Sequence, residues 1–371
     1  MSKRPSSPPK RLSEPRTPEP GRTASRFPSH AVASGTDVLH VVAIGGGTGL
    51  SALLRGLKAF VPHHDNPVDA SIASSPCVDI TAVVTVTDDG GSSGRLRREL
   101  GTLPPGDIRN CMVALSEDEA LLSQLFQYRF ESGRGLKGHS FGNLFLSAMT
   151  SLTGDFAKAI AFSSEVLASR GRIFPSTSEN VTLTADLEDG TRVSGETRIS
   201  RSKARIRRVS MEPARAKPLS ETIDAILAAD LVCLGPGSLY TSVIPNVLVS
   251  GIPAALKLSR ARVAYFPNLM WQPGETVGYS AADHARAVIE HAGEGILDWV
   301  VVNTTPISGG MRRRYASERL FPVANDVREL EALGVEPLGR RLLDSGEKVR
   351  HSPTATAEVV MELAQRARRE R

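Results

Sequence analysis

The chain has 371 residues, of which 40% are hydrophobic and 23% charged, a composition typical of a globular protein with one large or two smaller domains. Its formal charge of +5 lies in residues 1–36, which hold seven basic and two acidic residues, while the remainder holds 38 of each sign. The pI of 9.2 therefore does not indicate a nucleic-acid-binding protein, because the part of the chain that can fold is electrically balanced.

The first 36 residues are rich in Pro, Ser and Arg and lack an apolar run that could pack, so they are predicted to be a disordered leader. The leader has no hydrophobic core of a signal peptide, and no later stretch is long and apolar enough to span a membrane. Three widely separated cysteines form no C-x-x-C pair, so neither a zinc ribbon nor a disulfide scaffold is indicated. We expect a cytoplasmic protein without stable membrane insertion, with residues 37–371 as a single domain.

The first predicted unit is an apolar strand over residues 38–44, followed by a glycine-rich loop and a helix. Leucines spaced i, i+3, i+4 and i+7 over residues 50–57 indicate that helix. This order is typical of the first β–α unit of a nucleotide-binding sheet. The loop is not a G-x-G-x-x-G fingerprint, because Leu50 stands at the third glycine position, and no Lys-Ser or Lys-Thr follows to make a Walker A loop.

The second unit is a β-branched run over residues 80–86 that leads into two adjacent carboxylates, Asp88 and Asp89. Glycines, serines and the start of a basic helix follow. Glycine lets the backbone approach a ligand closely, and free N–H groups at a helix start attract anions. Asp beside such a loop can hold a divalent cation or a ribose hydroxyl. A phosphate or metal–phosphate site and a plain polar strand-to-helix turn both explain the segment.

The region after the second loop is predicted to be helical. Asp107 is the expected N-cap of a helix over residues 108–115, and residues 117–128 form another periodic segment. A further helix has His139 and Asn143 at its start. These two side chains either contact a ligand or serve only to cap the helix.

The hydrophobic period then changes from that of a helix to that of a strand. Residues 181–187 alternate, an acidic turn follows, and residues 193–199 return, which is the signature of a hairpin. Residues 206–211 add a further strand. We therefore predict a β insertion over about residues 172–217 within one α/β domain.

A third apolar strand begins at Leu231 and ends in a third glycine-rich loop, residues 235–238. Further strands are predicted over residues 262–267 and 297–303, with a final helix over about residues 354–369. Alternating strands and helices predict a doubly wound, mainly parallel sheet. Since ligands bind outside the carboxyl ends of the strands of such sheets, three glycine-rich loops placed there predict a phosphate-bearing ligand.

The arginine run Arg312, Arg313 and Arg314 follows the strand over residues 297–303. It either meets a phosphate or is a solvated charged run. The sequence leaves both interpretations open.

Several motifs of the chain, in this order, closely resemble the bacterial gluconeogenesis factor family, which belongs with the 2-phospho-L-lactate transferases. They are TVTDDGGSSGRLRRELGTLPPGDIRN, LFQYRF, GHSFGNLFL, GRIFPST, LGPGSLYTSVIPN and QPGETVGYSAADH. The resemblance runs from about Leu39 to the C-terminal helix. It implies a Rossmann-like fold of three layers, a cytoplasmic protein with a role in cell shape during growth on gluconeogenic carbon sources, and binding of a nucleotide or nucleotide sugar, with UDP-sugars as leading candidates.

The resemblance also implies site residues, taken over position by position. The phosphate loop would be Gly45, Gly46, Gly47, Thr48 and Gly49, and the opposite side of the crevice Gly235, Gly237, Ser238 and Thr241. The candidate metal or ribose ligands would be Asp88 and Asp89. Further predicted ligand contacts are Gly90, Gly91, Ser92, Ser93, Arg95, Asp107, Arg109, Asn110, His139, Asn143, Asn268, Gln272 and Glu275. The chain departs from the family pattern at Trp271, usually Thr, and at Val277, usually Asp.

Two classes of function follow. The first is a ligand-binding regulator of morphogenesis or wall synthesis that senses a nucleotide sugar, with Mg²⁺ as a candidate companion ion. The second is a metal-dependent transferase that moves a phospholactyl-like group from a nucleotide-activated donor to an alcohol. No residue stands out as a base on the acceptor side, so a regulator without turnover is favoured. A homo-oligomer and protein partners in cell-wall synthesis are left open.

Overall fold

The computed structural model describes residues 38–62, 76–117 and 121–371. The predicted leader, residues 1–36, lies outside the described residues. The strands are β1 (Val38–Gly45), β2 (Cys77–Val84), β3 (Arg172–Pro175), β4 (Thr182–Leu187), β5 (Arg192–Ser194), β6 (Ile206–Glu212), β7 (Leu231–Leu234), β8 (Arg262–Tyr265), β9 (Trp299–Asn303) and β10 (Glu336–Arg340).

The α-helices flank the strands in chain order. They are α1 (Gly47–Leu57), α2 (Gly91–Leu100), α3 (Gly106–Leu115), α4 (Leu121–Gln127), α5 (Phe141–Thr153), α6 (Phe156–Val166), α7 (Glu196–Ile199), α8 (Ser220–Ala228), α9 (Ile244–Leu248), α10 (Ile252–Leu258), α11 (Ala281–Ala292), α12 (Gly309–Ser317), α13 (Val327–Ala332) and α14 (Pro353–Arg369). Among the described residues, no single helix is both long and apolar enough to cross a membrane, although the bent pair Leu239–Leu248 and Ile252–Leu258 would pass by length and composition together.

A seven-stranded sheet with the order β10-β9-β8-β7-β1-β2-β3 forms the centre of the fold. All neighbouring strands in it are parallel. The chain builds outward from β1 in one direction to β3, and then returns to β7 on the other side of β1. β7, and β1 from Val41 onward, are continuous apolar runs because both are buried on both faces, as central parallel strands are. The predicted doubly wound, mainly parallel sheet is confirmed.

The β insertion is smaller than its predicted limits of 172–217. The antiparallel sheet has the order β5-β4-β6, and β3 belongs instead to the large sheet, where Thr81 pairs with Arg172. The predicted return strand over 193–199 is also wrong in its second half, because β5 ends at Ser194 and α7 follows. Gly195, at φ +95°, turns the chain away from the strand, and the carboxylate of Asp89 receives hydrogen bonds at the start of α7.

The predicted N-cap role of Asp107 is wrong. Helix α3 begins at Gly106 with Pro105 at the N-cap position, so Asp107 lies inside the first turn. Its side chain instead reaches the glycine loop after β1, where a β-carbon on Gly46 would lie 2.5 Å from Asp107 Oδ2. Asp107 thus contacts a loop that is distant in sequence and does not cap its own helix.

The C-terminal helix α14 is held to the sheet by ion pairs to a buried carboxylate. Asp230, only 2% exposed, precedes β7 and pairs with Arg368 and with Arg371, whose Nη1 lies 3.0 Å from Asp230 Oδ1. The carboxylate also accepts a hydrogen bond of 2.7 Å from the backbone N–H of His40. Burial opposes ionisation, but these hydrogen bonds and charges hold the pKa of Asp230 below its usual value.

We predict that Asp230→Asn lowers the free energy of unfolding by about 2 kcal/mol, because it removes the charge of a buried carboxylate that pairs with two partly exposed arginines. Urea denaturation at pH 7 measures the change. The matched control is Glu362→Gln, which breaks an ion pair with Arg340 at the surface, where the glutamate side chain is 52% exposed. The control should cost less than about 1 kcal/mol. If both substitutions lowered the free energy of unfolding by the same small amount, the ion pairs of Asp230 would not have the stabilising role described here.

Candidate ligand-binding site

Two glycine loops from neighbouring strands meet at the carboxyl edge of the sheet. The first loop (residues 45–49) follows β1, and the third loop (residues 235–238) follows β7. A β-carbon on Gly49 would overlap the carbonyl group of Pro236, so only glycine allows this contact. The buried side chain of Asn246 donates from Nδ2 to the carbonyl oxygens of Ser242, at 2.8 Å, and of Gly45, at 3.3 Å. The two loops are therefore fixed relative to each other.

A cleft of about 480 Å³ opens between these loops. Its volume is within the usual range for small-molecule sites. The predicted site residues that line this cleft are Gly46, Gly47, Thr48, Gly49, Asn110, Gly237, Ser238, Asn268 and Gln272.

The first loop leads directly into the N-terminus of α1, as an anion site requires. The N-cap, Gly46, makes no side-chain cap hydrogen bond, and the first turn of α1 holds no acidic residue. Gly47 has φ +66°, a conformation that favours glycine. Backbone N–H groups and the helix dipole thus favour negative charge at this end of the cleft.

Asp107, in α3, lies against this loop. When its carboxyl group is ionised, the negative charge reduces the positive electrostatic potential of the loop. Burial, together with the charge of Asp88, raises the pKa of Asp107 to about 6, although the backbone N–H of Gly47 favours the ionised form. The carboxyl group is therefore charged or neutral according to pH near neutrality. Sequence reasoning placed Asp107 at the site but did not foresee this contact.

The two adjacent carboxylates of the second loop (residues 88–93) make separate contacts. Asp88 Oδ1 accepts a hydrogen bond of 2.8 Å from the N–H of Gly90. Asp89 Oδ1 accepts from the N–H and the hydroxyl of Thr197, at 2.9 and 2.6 Å. Asp89 is thus a cap of α7, whereas Asp88 bonds within its own loop, and a metal site shared by the two carboxylates stays a prediction. Within residues 38–62, 76–117 and 121–371, no cluster of three or more His, Cys, Asp or Glu side chains is arranged to hold a metal ion.

The other polar residues predicted around the second loop bond mainly to one another, behind the cleft. Ser92 Oγ lies 2.9 Å from His139 Nδ1, and Asn143 Nδ2 lies 3.4 Å from Ser93 Oγ. All four side chains are buried. Arg95 donates to the carbonyl oxygen of Lys137, and Arg109 to Asn110 Oδ1, while Gly91 begins α2. Direct ligand contact by this group stays a prediction.

The β insertion contributes a carboxyl group that sequence reasoning missed. Glu196, in α7, lies close enough to four other carboxyl groups to feel their charge: Asp107, Asp88, Glu275 and Asp89. Burial, and then the charges of these four neighbours, raise the pKa of Glu196 to about 9, so this side chain is protonated at neutral pH. No local pattern could have identified it, because its neighbours are distant in sequence.

The loop after β8 positions the third loop. Asn268 Nδ2 donates to the carbonyl oxygen of Gly237 at 2.9 Å, and Gln272 Nε2 donates to Ser238 Oγ at 3.0 Å. Behind them, Glu275 accepts a hydrogen bond of 2.8 Å from Thr241, both of them buried. Gly45 ends β1 and Gly235 directly follows β7, and neither lines the cleft, so the predicted residues of this region divide into lining and supporting ones.

The two departures from the family pattern differ in their position. Trp271 lines the cleft; its indole N–H donates to the carbonyl oxygen of Tyr279 at 2.9 Å, and its ring packs edge-on against Phe321 at 5.2 Å between centroids. The indole is therefore fixed in orientation. Val277 is 46% exposed and is not part of the cleft lining.

Four lining residues with titratable side chains were not predicted. They are Arg55 on α1 and Asp344, Arg350 and His351 in the segment before α14. The arginine side chains make no ion pair or hydrogen bond with the part of the chain that the structure describes. Burial lowers the pKa of His351 to about 4, so its imidazole is neutral. The segment before α14 follows no glycine loop, so no sequence signal indicated that it closes the cleft.

Comparison with known proteins agrees with this architecture. Residues 41–343 match the family described as 2-phospho-L-lactate transferase CofD. The chain is 49% identical to the gluconeogenesis factor of Halalkalibacterium halodurans over 324 residues, covering 87% of this chain and 96% of that protein. It is 46% identical to the gluconeogenesis factor of Bacillus subtilis, over 87% and 97% of the two chains.

A solved structure has the same fold. The crystal structure at 2.60 Å of a UPF0052-family protein from Bacillus halodurans superposes with a TM-score of 0.81 at 48% identity, covering 88% of this chain and all of that one. The family match extends over most of the chain, and the relatives are matched over nearly their whole length. The chain therefore belongs to the 2-phospho-L-lactate transferase CofD family, together with the bacterial gluconeogenesis factors.

Proposed function

We propose that the protein is a cytoplasmic regulator that binds a nucleotide sugar and controls cell shape during gluconeogenic growth. The observation that carries the proposal is the charge of the cleft. The N-terminus of α1 lies at one side, and Arg55 and Arg350 lie on the same lining, opposed by one acidic residue, Asp344. A diphosphate group, with two negative charges, suits this lining.

The other side of the cleft supports a ligand with a ring. Leu269, Met270 and Trp271 provide an apolar surface next to the third loop. The indole N–H of Trp271 is already bonded within the chain, so the residue offers its ring rather than a hydrogen bond. A nucleobase can stack on such a surface, while its diphosphate lies on the first loop.

The alternative is a metal-dependent transferase of the phospholactate transferase type. The observation that favours it is the group of five carboxyl residues beside the first loop, Asp88, Asp89, Asp107, Glu196 and Glu275. However, Asp89 and Glu275 are engaged in hydrogen bonds within the protein, and Glu196 is protonated. His351, the imidazole of the cleft, is half-buried with a pKa lowered to about 4 by desolvation, which makes it a weak base toward an acceptor. We therefore favour a regulator.

The phosphate-binding role of the two arginines is tested by single substitution. We expect Arg55→Gln and Arg350→Gln each to weaken binding of UDP-glucose by about tenfold or more, because each removes a charged hydrogen bond. Calorimetry measures the affinity. Arg341→Gln, on an exposed residue outside the lining, is the control and should bind like the wild type. Wild-type affinity in both arginine variants would sink the proposed placement of the diphosphate.

The pH dependence of binding separates a direct phosphate contact from one through a metal ion. Without metal, ionised Asp107 repels a diphosphate on the first loop, and ligand binding favours the neutral carboxyl group. The diphosphate of a UDP-sugar does not titrate in this range, so affinity should fall as pH rises through about 6. We expect a loss of roughly fivefold between pH 5 and 7.5, the effect of about 1 kcal/mol of repulsion. The affinity of the Asp107→Asn variant for the UDP-sugar should not depend on pH. If the affinity of the wild-type protein rose with pH only when Mg²⁺ is present, this result would favour the transferase.

A turnover assay decides between the two functions. Incubated with Mg²⁺, a nucleotide-activated phospholactate donor and a deazaflavin acceptor, the protein should bind ligand but form no product detectable by mass spectrometry. An authentic phospholactate transferase serves as the positive control. Product that accumulates in proportion to protein, and is lost in Asp88→Asn, would overturn the regulator proposal.

A further inference from the structure

A second cavity, of about 460 Å³, opens beside the cleft at the carboxyl ends of β8 and β9. It shares Asn268 and Leu269 with the cleft, but none of the three glycine loops lines it. Ligands of doubly wound sheets bind at this edge. The cavity is therefore well placed for a ligand, yet it lacks the features that bind a diphosphate.

The walls of this cavity combine apolar side chains with one positive charge. Val302, Ile307 and Val323 are among the apolar residues. Arg312 is the single charged residue of its lining, and it lies in the first half of α12, a helix of nine residues. Its side chain is exposed and makes no ion pair or hydrogen bond with residues that the structure describes.

The polar groups around Arg312 divide into occupied and open ones. The carbonyl oxygen of the Asn303 side chain is occupied, since it accepts from the N–H groups of Thr305 and Leu342 at 3.1 Å, and the amide nitrogen donates to the carbonyl oxygen of Thr305 at 2.9 Å. In contrast, the buried hydroxyl of Thr305, on the cavity lining, has no hydrogen-bond partner in the described residues. An unpaired buried hydroxyl is unfavourable, but its oxygen is enclosed, so the charged group of this lining that is open to a ligand is the guanidinium of Arg312.

We infer that this cavity is a second binding site, for a small organic anion that carries a carboxylate or phosphate group on an apolar body. Arg312 binds the acid group, and the aliphatic residues and prolines of the lining cover the apolar body. With no acidic residue on the lining, a cation has no partner there, and a neutral ligand leaves the guanidinium without a counter-ion. The site goes beyond the nucleotide-sugar site and does not depend on it.

The test uses a pair of probes that differ in charge and not in shape, 2-naphthoate and 2-naphthamide. Binding to the full chain is followed by ligand-observed NMR titration. We expect the carboxylate to bind at least about tenfold more tightly than the amide, as a charged hydrogen bond provides. Absence of carboxylate binding, or equal binding of the two probes, would overturn the inference.

Two variants of the same helix locate the site. Arg312→Gln should remove the preference for the carboxylate, whereas Arg313→Gln, with the same change of charge one residue away and outside the lining, should keep it. Loss of the preference in both variants would mean that the probe senses only the charge of the helix. Saturating UDP-glucose should change the affinity for 2-naphthoate by less than about twofold, and complete displacement would show one continuous nucleotide-sugar site instead.

Discussion

The contact between the first and third loops is the constraint on which the candidate site depends. β1 and β7 are paired in fixed register, Val41 with Leu231, so their carboxyl ends reach the same edge of the sheet. Gly49 then lies so close to Pro236 that a side chain would overlap it, and Asn246 bridges from α9 to the end of β1. The backbone that would bind phosphate and the loop opposite are therefore both set by the sheet, not by flexible side chains.

The first loop also separates two regions of opposite charge. The cleft carries Arg55 and Arg350, whereas five carboxyl groups collect behind the loop. Such a cluster is unfavourable unless protons or hydrogen bonds neutralise it, and both occur here: burial raises the pKa of Glu196 to about 9, and Thr197 donates twice to Asp89. The β insertion supplies both residues. The insertion thereby stabilises the acidic loop after β2. This contact gives a physical reason why the insertion packs beside that loop.

Sequence reasoning succeeded where the signal was local. The β-branched and apolar runs of the central strands, each followed by glycine, predicted the parallel sheet and the loops at its edge. It failed where a residue far away in the sequence determined the contacts of a side chain. Asp107 matched a local capping rule but contacts Gly47, and the capping of α7 joins Asp89 to a residue 108 positions away. Arg350 was missed for the same reason, since only the packed fold brings its segment to the cleft.

The two cavities have a physical connection in the loop after β8. Asn268 lines both of them and donates to the carbonyl oxygen of Gly237 in the third loop, so a shift of this side chain alters the backbone that faces the cleft. Leu269 also lines both, and its carbonyl oxygen accepts a hydrogen bond of 3.1 Å from Val323, on the wall of the second cavity. Because both contacts are made within the chain, a ligand in one cavity need not move the loop, so we expect coupling between the two sites of less than about twofold, equal in both directions. The loop after β8 can therefore form a wall of both cavities without any change in the sheet.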